Sequence, residues 1–279
     1  MTQSTTLDSL IPHKPHEIGD FIESAENLIY QHSSNSGNVY LILLIRHGFS
    51  CANRYKDSNK LTGGMRQQYK YPASALTGYG VKQAKDFGSR LLKPLIETSK
   101  SQVCFPKYIY SSNLLRAMET AKYITDGSEM PTKVFPINGI REISGTKLPC
   151  KAQNSGFGNT LDNYPLSFSK YEHYYKNNWE KIKSSIATPT TSTQHLYGWN
   201  VNGSTPKISI FCDPQKFVDE LLPVVQQQGN IKNCNNKPVI VPVVVHGSLI
   251  KKYSKKLGGK VEVGNMGTYG LVVTEKDHK

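Results

Sequence analysis

The run from Val39 to Asn53, VYLILLIRHGFSCAN, restricts the possible folds of this chain more than any other stretch. Val39–Ile45 is unbroken apolar and aromatic sequence, with no polar position to face water. A strand of that kind is buried on both faces, as the inner strands of an α/β sheet are. It stops abruptly on Arg46-His47-Gly48, a cation, an imidazole and a glycine. A second run, VIVPVVV (239–245), has the same character and stops on His246-Gly247-Ser248.

Around these two runs, strand and helix patterns alternate. Strands are predicted at Val39–Ile45, Lys107–Ser111, Val134–Ile137, Val239–Val245 and Gly270–Thr274. Helices are predicted at Tyr79–Glu97, Asn113–Thr125, Pro214–Gln228 and Ser248–Leu257. The first helix places Val81, Ala84, Gly88, Leu91, Leu92 and Leu95 on one face. Asp213 and Pro214 suit the N-cap and first position of the third. The expected fold is a three-layer α/β/α sandwich with a mostly parallel central sheet. Residues 1–37 read as an N-terminal extension, with Ile18, Phe21, Ile22, Ala25, Leu28 and Ile29 on one face of an amphipathic helix. Residues 38–279 read as the main domain. The stretch from about 144 to 210 breaks the rhythm and reads as an inserted cap, since irregular insertions of this length are commonly binding elements.

Composition narrows the function classes. The 279-residue chain carries a net charge of +13, which favours anionic partners. No apolar run approaches the ~20 residues of a membrane span. No basic start followed by an apolar block marks a signal peptide. The five cysteines, Cys51, Cys104, Cys150, Cys212 and Cys234, show no metal-ligand spacing, so reduced thiols in a cytoplasmic setting are expected. No nucleic-acid motif accompanies the charge.

Three strand ends carry chemistry. They are Arg46-His47-Gly48, then Ser111-Ser112 leading into a helix with Arg116, and His246-Gly247-Ser248. In a parallel sheet the carboxyl ends of strands line one edge, where ligands bind. Arg46, His47, Arg116 and His246 are therefore expected to converge, with Glu142 reaching the same edge. Two guanidinium forks suit a phosphate dianion. A neutral histidine can attack phosphorus, and a second can stabilise the developing charge. A carboxylic acid of raised pKa can protonate the leaving oxygen. Gly48 and Gly247 are expected to let the anion approach the backbone. The scheme calls for no metal and no cofactor.

These residues resemble the motifs of the histidine phosphatase, or phosphoglycerate mutase-like, superfamily. RHGFSCAN (46–53) is similar to its first signature. LTGYGVKQA (76–84), SSNLLRAMETA (111–121), REISG (141–145) and VVVHGSLI (243–250) resemble the later ones, in family order. The glycine after the second histidine points to the branch that holds the mutases and many intracellular phosphatases. The resemblance implies a metal-independent phosphatase with His47 as nucleophile and a phosphohistidine intermediate. Arg46, Arg116 and His246 complete the phosphate pocket, with Gly247 beside it. Glu142 is the implied proton donor, and Asn53 either touches phosphate or shapes a turn.

The chain departs from the mutases at Phe49, where they carry glutamate, and after Glu142, where ISGTKLPCKAQ replaces their sequence. A phosphatase is favoured over a mutase-type phosphotransferase, and a catalytically silent polyanion-binding module is the remaining alternative. Glu119, three residues after Arg116, is expected to pair with it on the helix. The lysine-rich KKYSKKLGGK (251–260), with Lys147, Lys151, Lys181 and Lys183, would form a basic rim if it faced the pocket. The substrate would then be a multiply phosphorylated small molecule.

Overall fold

The computed structural model describes residues 4–9, 23, 27, 38–54, 75–99, 103–130, 132–144, 151–152, 172–188, 211–228, 231, 234 and 237–276. Among them, six strands form the central sheet: β1 (Ser4–Ser9), β2 (Val39–Arg46), β3 (Tyr108–Ser112), β4 (Lys133–Ile137), β7 (Val239–Val245) and β8 (Thr268–Lys276). Two short strands, β5 (Ile143–Ser144) and β6 (Lys151–Ala152), pair separately. The helices are α1 (Gly78–Phe87), α2 (Lys93–Ser99), α3 (Leu115–Ser128), α4 (Glu172–Lys183), α5 (Pro214–Gln228) and α6 (Gly247–Lys256).

The sheet order is β1-β8-β2-β7-β3-β4. β2, β7, β3 and β4 are parallel, and β8 and then β1 close one edge in antiparallel pairing. Every residue of β7, and all of β2 except Arg46, is buried, so both faces of the sheet are covered. On one side α1 packs along α3. Elsewhere α5 meets α6 through Phe217 and Tyr253, whose ring centroids lie 5.6 Å apart.

The predicted strands and helices recur within a few residues, with three differences. The helix predicted at Tyr79–Glu97 is interrupted by a π-helical segment, Gly88–Leu92, between α1 and α2. β1 joins the sheet through a Ser/Thr-rich stretch with no apolar run to announce it. Of the helix predicted for the N-terminal extension, Glu23 and Asn27 are described, both helical and exposed. Its apolar positions lie outside the described residues.

Pro242 sits in the inner strand β7, where a missing N–H normally breaks the ladder. Here it falls between two contacts on the β3 side of the strand. Ile240, two residues earlier, donates to Cys104 O (2.9 Å), and the pairing with β3 begins only at Val243 opposite Tyr110. The expected 144–210 insertion is partly described. Within it Trp179 and Ile182 of α4 are buried in the core. Ala187 donates to Val134 O and Val134 donates to Ser185 O, which adds a rung outside β4. The aromatic YEHYYKNNW helix therefore contributes Trp179 to packing.

The expectation of reduced thiols is corrected. Cys104 and Cys234 form a disulfide, their Cα atoms 5.7 Å apart, and Cys212 is disulfide-bonded as well. Cys51 is free. Sequence spacing could not reveal the pair, because its members lie 130 residues apart and meet only when Cys104 docks on Val239 at the start of β7. The cysteine argument for a cytoplasmic setting is removed with it. No described helix is long and apolar enough to cross a membrane.

Candidate active site

The register of the parallel strands places the predicted residues together. Arg46 lies opposite Val245, so the residues that follow, His47 and His246, emerge side by side at one sheet edge. Their ring centroids are 5.1 Å apart. β3 ends at Ser112, opposite Ile137 of β4, which delivers α3 with Arg116 from one strand and Glu142 from the next. A cavity of about 710 Å³ opens here, lined by Arg46, His47, Asn53, Arg116, Glu142 and Gly247 among others. His246 is fully buried behind them.

His47 is held in one tautomer. Its Nδ1 donates to Gly48 O (2.8 Å), which leaves Nε2 unprotonated. Arg116 Nε donates to that nitrogen at 3.2 Å. Burial, with Arg116 and His246 beside it, holds the imidazole well below its ordinary pKa, so His47 is neutral near pH 7. His246 Nε2 lies 2.9 Å from Ser112 Oγ, and its Nδ1 lies 3.4 Å from Glu142 Oε2. Burial lowers its pKa to about 4 against the opposing pull of Glu142.

Glu142 departs from expectation. Burial pushes its carboxyl up, but His246, Arg116 and the Ser248 hydroxyl outweigh that and hold it below the ordinary carboxylate range. The permanent charge of Arg116, whose Nη2 is 3.6 Å away, is reason enough for the ionised form. The expected raised pKa is therefore corrected. Ser248 at the start of α6 donates to Glu142 Oε1 and fixes its rotamer.

Arg46 donates from Nη1 to Val263 O (2.7 Å), while its Nε is buried with no partner among the described residues. Buried guanidinium donors left open are costly unless a ligand satisfies them. Asn53 Oδ1 accepts from Ser50 N (3.1 Å), Ser50 Oγ (2.9 Å) and Asn265 Nδ2 (3.3 Å). It shapes the turn through its oxygen and stands in the cavity wall.

Packing requires both glycines. A Cβ on Gly48 would strike the backbone of Gly80 at the start of α1, and one on Gly247 would press on Arg46 Nε and Cδ. Gly247 thus gives the Arg46 side chain its path. Glu119 does not form the predicted pair with Arg116. It is buried and accepts from Leu76 N (2.6 Å), and burial raises its pKa to about 8. Phe49 is not among the cavity's described lining residues. Its ring meets Tyr79 edge-on at 6.1 Å.

The loop before β8 belongs to the site, and sequence reasoning misses it. Asn265 donates to His47 O (2.9 Å), and Met266, in the left-handed region at φ 62°, donates its N–H to Arg46 O (3.1 Å). Gly264-Asn265-Met266-Gly267 has the composition of a tight turn, which is the available signal. Ser112 and Ser248 are visible in the sequence only as parts of motifs. Donor atoms of His47, Glu142 and His246 lie within 4.8 Å of one another, a set able to hold a metal ion. Arg116 reaches into the same space, which favours an anion there.

Residues 42–151 match the sequence model of the histidine phosphatase superfamily (branch 1). No curated protein sequence matches the chain. Among solved structures, the chain is similar to a phosphoglycerate mutase from Bacillus anthracis, with 19% identity, 84% of this chain and 88% of that one covered, and a TM-score of 0.42. It is also similar to the ecdysone phosphate phosphatase from Bombix mori, with 14% identity, 76% and 75% covered, and a TM-score of 0.41. A third is a phosphoserine phosphatase from Entamoeba histolytica, solved with 3-phosphoglyceric acid, with 20% identity, 82% and 89% covered, and a TM-score of 0.35. The matched segment carries Arg46, His47, Arg116 and Glu142, while His246 lies beyond it.

Proposed function

We propose that the protein is a phosphoric monoester hydrolase that works, without a metal, through a phosphohistidine on His47. One observation carries this reading. The Nδ1–H of His47 is committed to Gly48 O, so the unprotonated nitrogen is Nε2, which accepts from Arg116 Nε on a cavity that holds two arginines and is released for attack once a phosphate takes that guanidinium. A phosphate dianion there would pair with Arg46 and Arg116. Its charge would replace the contact between Arg116 and Glu142 and raise the Glu142 pKa, making the carboxyl a proton donor only once substrate is bound.

Nε2 attacks phosphorus, the N–P bond forms, and the ester P–O bond breaks. The departing oxygen takes its proton from Glu142. Water then attacks the phosphohistidine and gives a proton back to Glu142, and the N–P bond breaks to release phosphate. His246, oriented by Ser112, supports the phosphoryl oxygens in both steps. The substrate is an anionic phosphorylated small molecule. A mutase-type phosphotransferase would use the same first step and pass the phosphoryl group to a second substrate instead of water.

Incubation with chelator and a panel of sugar phosphates, nucleotides, inositol polyphosphates and phosphoglycerates tests this. Phosphate release in the wild type, lost by at least about 10³-fold in His47→Ala, is expected. Release that survives the substitution would remove His47 as nucleophile. Transfer between substrates with no net release would favour the mutase. Binding without either would favour the silent polyanion-binding module.

A further inference from the structure

Two charged side chains line the cavity but take no part in the chemistry above. Lys251 projects from α6 and Glu262 from the loop before β8, and Lys251 Nζ lies 2.6 Å from Glu262 Oε1. Both are solvent-accessible, at 47% and 81% of their side-chain surface. Their positions follow from the elements that hold the phosphate groups. Lys251 stands three residues after Ser248, on the same face of α6 and about one turn along it. Ser248 holds Glu142, and Val263, next to Glu262, holds Arg46 through its carbonyl. The pair therefore lies one step outside the phosphate centre on two adjoining walls.

The other lysines of the 251–260 cluster are not among the described lining residues, and Lys256 pairs with Asp213 instead. Among the described residues, the basic rim expected from the sequence narrows to one lysine, Lys251. At about 710 Å³ the cavity has room for a substrate body well beyond one phosphate. An ammonium has three donors and one charge. Here Glu262 balances that charge, and an exposed pair of this kind is readily exchanged for another anion.

We propose that Lys251 is a second-anion subsite: the substrate carries, beside the scissile phosphate, a further phosphate or carboxylate that takes the place of Glu262 on Lys251. This rests on the phosphatase reading and specifies its substrate class. Glu262 then acts as a built-in competitor that disfavours substrates without the second anion.

The test compares fructose 6-phosphate with fructose 1,6-bisphosphate and with 6-phosphogluconate, which separates a second phosphate from a carboxylate. Lys251→Met is expected to lower the kcat/KM ratio of the doubly anionic substrate to fructose 6-phosphate by about fivefold, and Glu262→Gln to raise it. A ratio unmoved by Lys251→Met for both compounds would overturn the assignment. Binding measured by calorimetry in the His47→Ala background reads the subsite without turnover. There, adding Lys251→Met should weaken at least one doubly anionic compound by a similar factor, and equal affinities would again overturn it. Loss of the phosphatase reading would show separately, as wild-type turnover that His47→Ala leaves intact.

Discussion

His47 and His246 stand side by side at one sheet edge but are fixed in different ways, one by its own chain's carbonyl and the other by Ser112 from a neighbouring strand. Both titrate lower in the fold than in the unfolded chain, where histidine has its ordinary value of 6.5. As pH falls, the unfolded chain therefore takes up these protons first. Stability present above pH 6.5 is lost as pH drops through 6.5 toward about 4 for His246, and in the same direction from 6.5 downward for His47. Thermal unfolding at about pH 7.5, 6 and 5 should show a falling Tm, with a shallower fall in His246→Asn; parallel slopes would contradict the assignment. Arg46, His47, Arg116 and His246 were legible because each lies in or directly after a strongly patterned element. Ser112, Ser248 and Asn265 were not, since a serine or asparagine in a turn carries the same letter whether or not it holds a neighbouring side chain or carbonyl in place. The ionised state of Glu142 was illegible for a related reason. Its pKa depends on Arg116 and His246, which are far away in sequence.

At the level of elements, both α1 and the π-helical segment that follows it pack on α3. The backbones approach so closely at Gly88 that a Cβ there would collide with Ile124 O and the chain at Gly127-Ser128. Gly88→Ala should therefore destabilise the protein by about 1–3 kcal/mol, measured by urea unfolding, despite alanine's better helix propensity. A stabilised variant would mean that the π-helical segment relaxes and absorbs the methyl group. The strands were legible from their unbroken apolar runs, Pro242 notwithstanding. The π-helical segment was not, because it is a response to packing on α3. β1 was not either, because its stability comes from pairing with β8 rather than from its own sequence.

Across the whole molecule, β1 at the N-terminus pairs with β8 near the C-terminus, and the disulfide joins Cys104 to Cys234. Closing a loop of 130 residues restricts the unfolded chain. Replacing both cysteines by alanine, or adding a reductant, should lower stability by about 2–5 kcal/mol. Non-reducing peptide mapping checks the pairing, and calorimetry with and without reductant checks its effect. An unchanged Tm would show that the bond does not form in the folded protein. Persistent disulfides are characteristic of oxidising compartments, so the mapping also bears on the cytoplasmic expectation, which the thiols no longer support. The net charge of +13 is consistent with anionic substrates, but the described residues bring only Arg46, Arg116 and Lys251 of it to the cavity as lysine or arginine.

Sequence alone determined the α/β class, the order of the strands and helices along the chain, and the residues from which a phosphate site could be built. Buried strands need unbroken apolar runs, and strand ends that turn sharply need glycine, so both properties are local and written in the letters. Only the tertiary structure decided which glycines serve packing, how Glu142 is charged, which lysine faces the cavity and which cysteines pair. Each of these depends on the distance between groups remote in sequence, and that distance is set by sheet register and helix packing.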